Sequence, residues 1–172
     1  FYMVGETFTS DVQLLNKYIG NDLLHAQFDF RVYFAIKSGI LEGNNLGSVK
    51  DTYNASREDK SDLMGTFMGN HDVARALSVA AGQWQDKWKN NSEISDWGPY
   101  LKVKTAWTVL LTNPGVPMVY YGDEYGQEGA NDPDNRRMMK FDGLNGEQAG
   151  TLSYVQQLGK LRAEHSALRR GT

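Results

Sequence analysis

The sequence predicts an α/β fold built on parallel strands, and three observations carry that prediction. Short apolar runs alternate with segments of helical period. Three of those runs stop abruptly in carboxylates: Phe1-Tyr2-Met3-Val4-Gly5-Glu6, Leu63-Met64-Gly65-Thr66-Phe67-Met68 before Gly69-Asn70-His71-Asp72, and Gly115-Val116-Pro117-Met118-Val119-Tyr120-Tyr121-Gly122-Asp123-Glu124. Continuous apolar runs are what strands covered on both faces look like. Polar groups at the C-terminal ends of such strands are where α/β folds place chemistry, so three such endings imply one shared rim.

Residues 1–5 read as the first strand. Ser10 followed by Gln13 has the capping-box pattern. Val12, Leu15, Tyr18 and Ile19 then repeat at helical spacing up to Gly20. Ala26-Gln27-Phe28-Asp29-Phe30 alternates as a second strand. Val32, Ala35, Ile36 and Ile40 predict a helix ending near Gly43, and the polar 44–60 stretch holds a short helix through Val49 and Tyr53. The third strand runs from Leu63 to Met68. Ala81 to Gly98 reads as loop with a helical turn near its start. Pro99 opens a helix carrying Val103, Ala106, Trp107, Leu110 and Leu111, which Asn113-Pro114-Gly115 stops. Val116 to Tyr121 is the fourth strand, Gly122 to Asn145 is irregular, and a last helix puts Leu152, Val155, Leu158 and Leu161 on one face. Strands alternating with helices in this way make four strand-helix units with right-handed crossovers. Four units are half of a (β/α)₈ TIM barrel, whose usual size is ~250 residues.

At 172 residues the chain is one domain, large enough for a core. Apolar residues at 40% and charged residues at 23% are ordinary for a globular protein. A net charge of −3, with no massed basic run, gives nucleic acid or an anionic membrane nothing to hold. The absence of cysteine excludes disulfides and thiolate metal sites but fixes no compartment. No apolar run approaches the ~20 residues of a membrane span. The chain opens on a strand-like run without an initiator Met, which reads as a piece of something longer.

Taken together, Gly5-Glu6 after an apolar run, Phe67-Met68-Gly69-Asn70-His71-Asp72, and Gly115 to Glu124 resemble the α-amylase family of glycoside hydrolases, in that family's order. Asn131-Asp132-Pro133-Asp134-Asn135-Arg136-Arg137 is similar to its loop after the eighth strand. Leu161-Arg162-Ala163-Glu164-His165-Ser166-Ala167-Leu168-Arg169 resembles its eighth helix. The resemblance spans essentially the whole chain and implies the second half of the catalytic barrel, residues 1–172 carrying strands five to eight. It implies an α-glucan or maltooligosaccharide substrate and no cofactor.

A retaining glycosidase needs a protonated carboxylic acid and a carboxylate nucleophile about 5 Å away, the acid held protonated by burial beside other carboxylates. The resemblance makes Glu6 the general acid/base. It makes Asp72 the carboxylate that holds hydroxyls of the reacting ring, with Asn70 and His71 beside it. Asp132 and Arg136 then grip the next sugar on the non-reducing side. Arg75 reads as structural, and Asp123-Glu124 as a turn rather than a catalytic pair. Asp132 to Arg137 fits a salt-bridged surface loop as well as a sugar site. Trp84, Trp88 and Trp97 read as packing residues ahead of sugar platforms. Asp132-Pro133-Asp134-Asn135 offers too few spaced oxygens for a calcium loop, so no metal is expected.

The family's nucleophile is an aspartate two residues after an arginine, at the end of the barrel's fourth strand. That position precedes Glu6, so the chain is expected to carry the acid but not the nucleophile. Open strand edges would favour pairing with a second copy. Two other readings compete: a half-barrel that binds glucan without cutting it, and a generic α/β domain with an unrelated ligand site.

Overall fold

The computed structural model describes residues 1–56, 63–85 and 93–170. β1 (Val4–Gly5) pairs with β2 (Ala26–Gln27) in parallel, Val4 opposite Ala26 and Gly5 opposite Gln27. β3 (Gly65–Thr66) pairs with β4 (Val116–Pro117) in parallel, Gly65 opposite Val116. A parallel bridge between Phe28 and Gly65 joins the two pairs. There the Phe28 N–H donates to the Gly5 carbonyl (2.9 Å) and the Asp29 N–H to the Gly65 carbonyl (2.8 Å). All four strands therefore run the same way, and their C-terminal ends form one edge.

The regular ladders are shorter than the apolar runs suggest. β4 shows one cause. Val116 and Met118 donate to the Met64 and Thr66 carbonyls (2.9 and 2.8 Å), while Pro117 between them has no N–H and occupies the non-donating position. At the seam between β2 and β3, Gly65 is required by close approach: a Cβ there would lie 2.8 Å from the Phe28 ring.

The helices follow the sequence signals with several differences. α1 (Val12–Leu15) is capped by Asp11, not Ser10; the Asp11 carboxylate accepts from the Gln13 and Leu14 N–H groups. Phe30 does not end β2 but opens α2 (Phe30–Ile36), because Asp29 caps that helix through the Arg31 and Val32 N–H groups. α2 continues as a π-helical turn, Lys37–Leu41, and α3 (Leu46–Ser56) follows. A short α4 (Ala76–Ala80), not anticipated, follows the Asp72 loop. α5 (Trp97–Thr112) has Asp96 as its cap and Pro99 in its first turn, and Asn113 ends it. α6 (Gly146–Glu164) starts at a capping box of Asn145 and Gln148; α7 (Ser166–Arg170) closes the described chain. On α6 the buried face is Gln148, Thr151, Val155 and Arg162, whereas Leu161 is exposed. Arg162 sets that face by donating to the carbonyls of Leu111, Asn113 and Gly115, between the end of α5 and β4, and to that of Leu168 in α7.

The main core joins α2, α4, α5 and α6 around Trp107, Tyr100, Leu77, Ile36 and Leu110, each fully buried. A second, aromatic cluster of Phe30, Tyr33 and Phe67 lies at the strand ends, with Tyr33 stacked on Phe67 (centroids 5.2 Å apart). Trp84 packs against the main core with the Lys37 ammonium 4.0 Å from its ring centroid, as expected of a packing residue, while Trp97 is exposed and Trp88 lies outside the described residues. Among the described residues no helix is long and apolar enough to cross a membrane.

Gly65→Val tests the seam. The added side chain must displace Phe28, at the cost of about 1–3 kcal/mol typical of overpacking. Urea unfolding measures it, and wild-type stability would mean that β2 and β3 do not meet there.

Candidate active site

Each site residue lies in a segment that follows a strand. β3 continues as buried Phe67 and Met68 and leaves the sheet at Gly69. Asn70 is buried, and its side-chain oxygen accepts the Asp72 N–H (2.8 Å), turning the chain so that His71 and Asp72 face outward. His71 Nε2 lies 3.4 Å from Asp72 Oδ1. Across from them, the loop after β4 brings Asp132 and Arg136. Arg136 Nη2 stands 2.9 Å from Asp132 Oδ1 and 3.4 Å from Asp72 Oδ1, and its Nε donates to the His71 carbonyl (3.0 Å). Asn70, His71, Asp72, Asp132 and Arg136 thus form one cluster. The side chains of His71, Asp72, Asp132 and Arg136 are all about half exposed, at 46–56%. At that exposure these ion pairs do little for stability, so they are free to exchange partners with a ligand.

Glu6 follows β1 directly and so stands on the same edge as Asp72. It is exposed, which corrects the expectation of an enclosed carboxyl. The reason lies in its neighbours: Thr7 Oγ1 donates to Gln27 Oε1 (3.2 Å), and Phe8 packs on Phe30 (centroids 4.3 Å apart), so neither closes over Glu6. Among the described residues no hydrogen bond or ion pair links Glu6 to the Asp72 cluster.

Beneath the exposed cluster lies a buried one. Arg75, wholly buried, places Nη1 3.0 Å from Asp123 Oδ1 and also donates to the carbonyls of Asn135 and Tyr121. Its guanidinium lies over the Tyr120 and Tyr121 rings (4.1 and 4.6 Å). Asp123 opens a 3₁₀ turn, Asp123–Tyr125, between two glycines with positive φ, Gly122 (+89°) and Gly126 (+79°). Asp123-Glu124 is therefore a turn. Asp123 Oδ2 has no hydrogen-bond partner among the described residues, and it fits only because Gly69 has no Cβ. Burial raises the Asp123 carboxyl to about 6, and Arg75 pulls it down only in part.

The loop 131–137 is braced on its own account. It contains a cis Asp132–Pro133 bond and a 3₁₀ turn, Asp134–Arg136. Asp134 accepts two hydrogen bonds from Arg137 (both 2.8 Å) and one from the Ala130 N–H. Burial pushes the Asp134 carboxyl up, but these donors outweigh it and hold it below its ordinary value. Among the described residues, no group of three or more His, Cys, Asp or Glu converges to hold a metal.

Comparison with known proteins decides the family. Residues 1–159 match the family described as "Alpha amylase, catalytic domain". The chain belongs to the α-amylase family of glycoside hydrolases. It is 31% identical over 172 residues to a β/α-amylase of Paenibacillus polymyxa, covering 99% of this chain and 13% of that protein. It is 32% identical to a cyclomaltodextrin glucanotransferase of Geobacillus stearothermophilus, covering 99% and 22%. Among solved structures, the Geobacillus thermoleovorans α-amylase complexed with acarbose superimposes with a TM-score of 0.80 at 32% identity, over 99% of this chain and 35% of that one. The chain thus spans about a third or less of these relatives. Its fold is that of the α-amylase catalytic domain, a TIM-barrel family.

Sequence reasoning did not foresee how two residues hold these loops together. Asn135 is fully buried between the two site loops, and Asp123 anchors Arg75. The signal that was available is the amide inside an otherwise charged run, Asp132 to Arg137.

Arg75→Met should cost about 3–5 kcal/mol in urea unfolding, because it strands a buried carboxyl. The Asp123 carboxyl binds its proton more tightly folded than unfolded. Its stabilising contribution is therefore full below about pH 4 and is lost as pH rises through about 6. The stability difference between wild type and Asp123→Asn, measured from pH 4 to 8, should fall across that window.

Proposed function

We propose that the chain is four consecutive strand-helix units of an eight-stranded barrel, and that it acts on α-glucans or maltooligosaccharides by retaining hydrolysis or transglycosylation. The observation that carries this reading is Arg136 bridging Asp72 and Asp132 on the strand-end edge that also holds Glu6. An arginine between two half-exposed carboxylates gives donors and acceptors at fixed separation, which suits the vicinal hydroxyls of a sugar. The relatives named above fit the substrate class: one is a cyclomaltodextrin glucanotransferase, another is complexed with acarbose.

In this reading Glu6 gives a proton to the glycosidic oxygen as the bond to the anomeric carbon breaks. A second carboxylate attacks that carbon from the opposite face. Glu6, now ionised, then takes a proton from water or from an acceptor sugar that resolves the covalent intermediate. Asp72 accepts hydrogen bonds from ring hydroxyls, and those bonds strengthen as positive charge develops on the ring. His71 donates to a neighbouring hydroxyl, and Asp132 with Arg136 holds the next sugar.

The attacking carboxylate is not offered by the other acids at these strand ends. Asp29 is buried against Arg31 (3.0 Å), and Asp123 against Arg75. The resemblance to the family assigns the nucleophile to another part of the barrel, which would also enclose Glu6. The exposure of Glu6 in these 172 residues favours a second reading of them alone, a half-barrel that binds glucan without cutting it.

Glu6→Gln in the full-length protein should lower kcat on maltooligosaccharides by about 10²–10⁴-fold while leaving their affinity close to wild type. Turnover of the variant at the wild-type rate would remove Glu6 from the role. The 172-residue chain on its own should bind without measurable release of reducing ends.

A further inference from the structure

We propose that Asn135 is the positioning residue that sets the spacing between Asp72 and the Asp132–Arg136 pair. The inference rests on the α-glucan reading above and adds to it the device that holds the two sugar-gripping loops in register. Asn135 Nδ2 donates to the His71 carbonyl and to the Val73 carbonyl, both at 2.8 Å. These two carbonyls flank Asp72 on either side. One amide nitrogen thus clamps the backbone around the carboxylate that faces the ligand.

The chemistry requires this residue type. Two carbonyl oxygens demand two donors, and a primary amide carries both on one atom. Aspartate at this position would offer only acceptors, and serine a single donor. Asn135 also bears on the other loop. It lies in the 3₁₀ turn Asp134–Arg136, so its place fixes that of Arg136 next to it. Its own carbonyl is held by Arg75 Nε (2.7 Å), which ties the clamp to the buried Arg75–Asp123 pair. Arg136 Nε shares the His71 carbonyl with Asn135, so both loops converge on one oxygen. Asn135 is fully buried and out of reach of a ligand on this edge, so it acts through Asp72 and Arg136.

The test uses the full-length protein and calorimetry with maltopentaose, for wild type, Asn135→Ala, Arg136→Ala and the double variant, each checked by thermal melting. Asn135→Ala should weaken binding by about tenfold or more, the scale expected when a site loses its alignment. The same change in the Arg136→Ala background should cost clearly less than in wild type, because one of the two partners it positions is already gone and only Asp72 remains to be misplaced. Additive losses in the double variant would assign Asn135 a purely structural role, and an unchanged affinity in folded Asn135→Ala would also overturn the proposal. Where Asn135→Ala does not fold, Asn135→Ser, which keeps one donor, takes its place; failure of both to fold would make Asn135 a core residue and sink the proposal. A wild-type protein that binds no maltopentaose would instead overturn the α-glucan reading on which the proposal stands.

Discussion

The buried Arg75–Asp123 contact is the constraint around which the strand ends are arranged. Its two members come from different loops, one after β3 and one after β4, and Arg75 reaches further along the second through the Asn135 carbonyl. Neither charge has water to fall back on, so the loops must meet for either to be tolerated. The pair is not self-sufficient: Asp123 Oδ2 and Arg75 Nη2 both lack hydrogen-bond partners among the described residues. The two tyrosine faces under the guanidinium and the Trp107 indole, which donates to the Asp123 carbonyl (3.1 Å), supply the surroundings that keep the contact in place. Trp107 sits in the main helical core, so packing of α5 is transmitted directly to the turn that carries Asp123.

Carboxylates at these strand ends divide into two kinds. Asp29 and Asp123 are buried and each is held by an arginine; Glu6, Asp72 and Asp132 face solvent. The first kind caps α2 or joins loops. The second is left with unsatisfied hydrogen-bonding capacity, which a ligand can take up without breaking the fold. This division explains how these five acids share one edge without mutual repulsion dominating: the two that would be costliest are each paired with an arginine, and the other three are screened by water until something displaces it.

Much of this was legible in the sequence. Apolar runs ending in Glu6, Asp72 and Asp123 located all three loops, because parallel strands share one C-terminal edge whatever their exact length. Helix periods located α2, α3, α5 and α6 for the same local reason. What failed was information set by tertiary partners. Ser10 and Asp11 are both good caps, and only the path of the chain selects Asp11. Leu161 has the right spacing for a buried face, yet Arg162 takes it because four carbonyls wait there. The exposure of Glu6 could not be read either, since covering a strand end depends on what lies across the barrel and not on the strand itself.

That last point bears on how such a site works. A general acid needs a setting that disfavours its charge. In this chain the residues proposed to grip sugar are already held in register: Arg136 spans two carboxylates, and Asn135 pins the backbone on either side of Asp72. The geometry of ring recognition is thus local to the loops after β3 and β4. The surroundings of the proposed proton donor, in contrast, are not supplied by these loops: Glu6 stands exposed at the edge of β1. In the proposed function, recognition and proton transfer therefore rest on different physical supports, one on buried hydrogen bonds within the loops and the other on exclusion of water from the edge of β1.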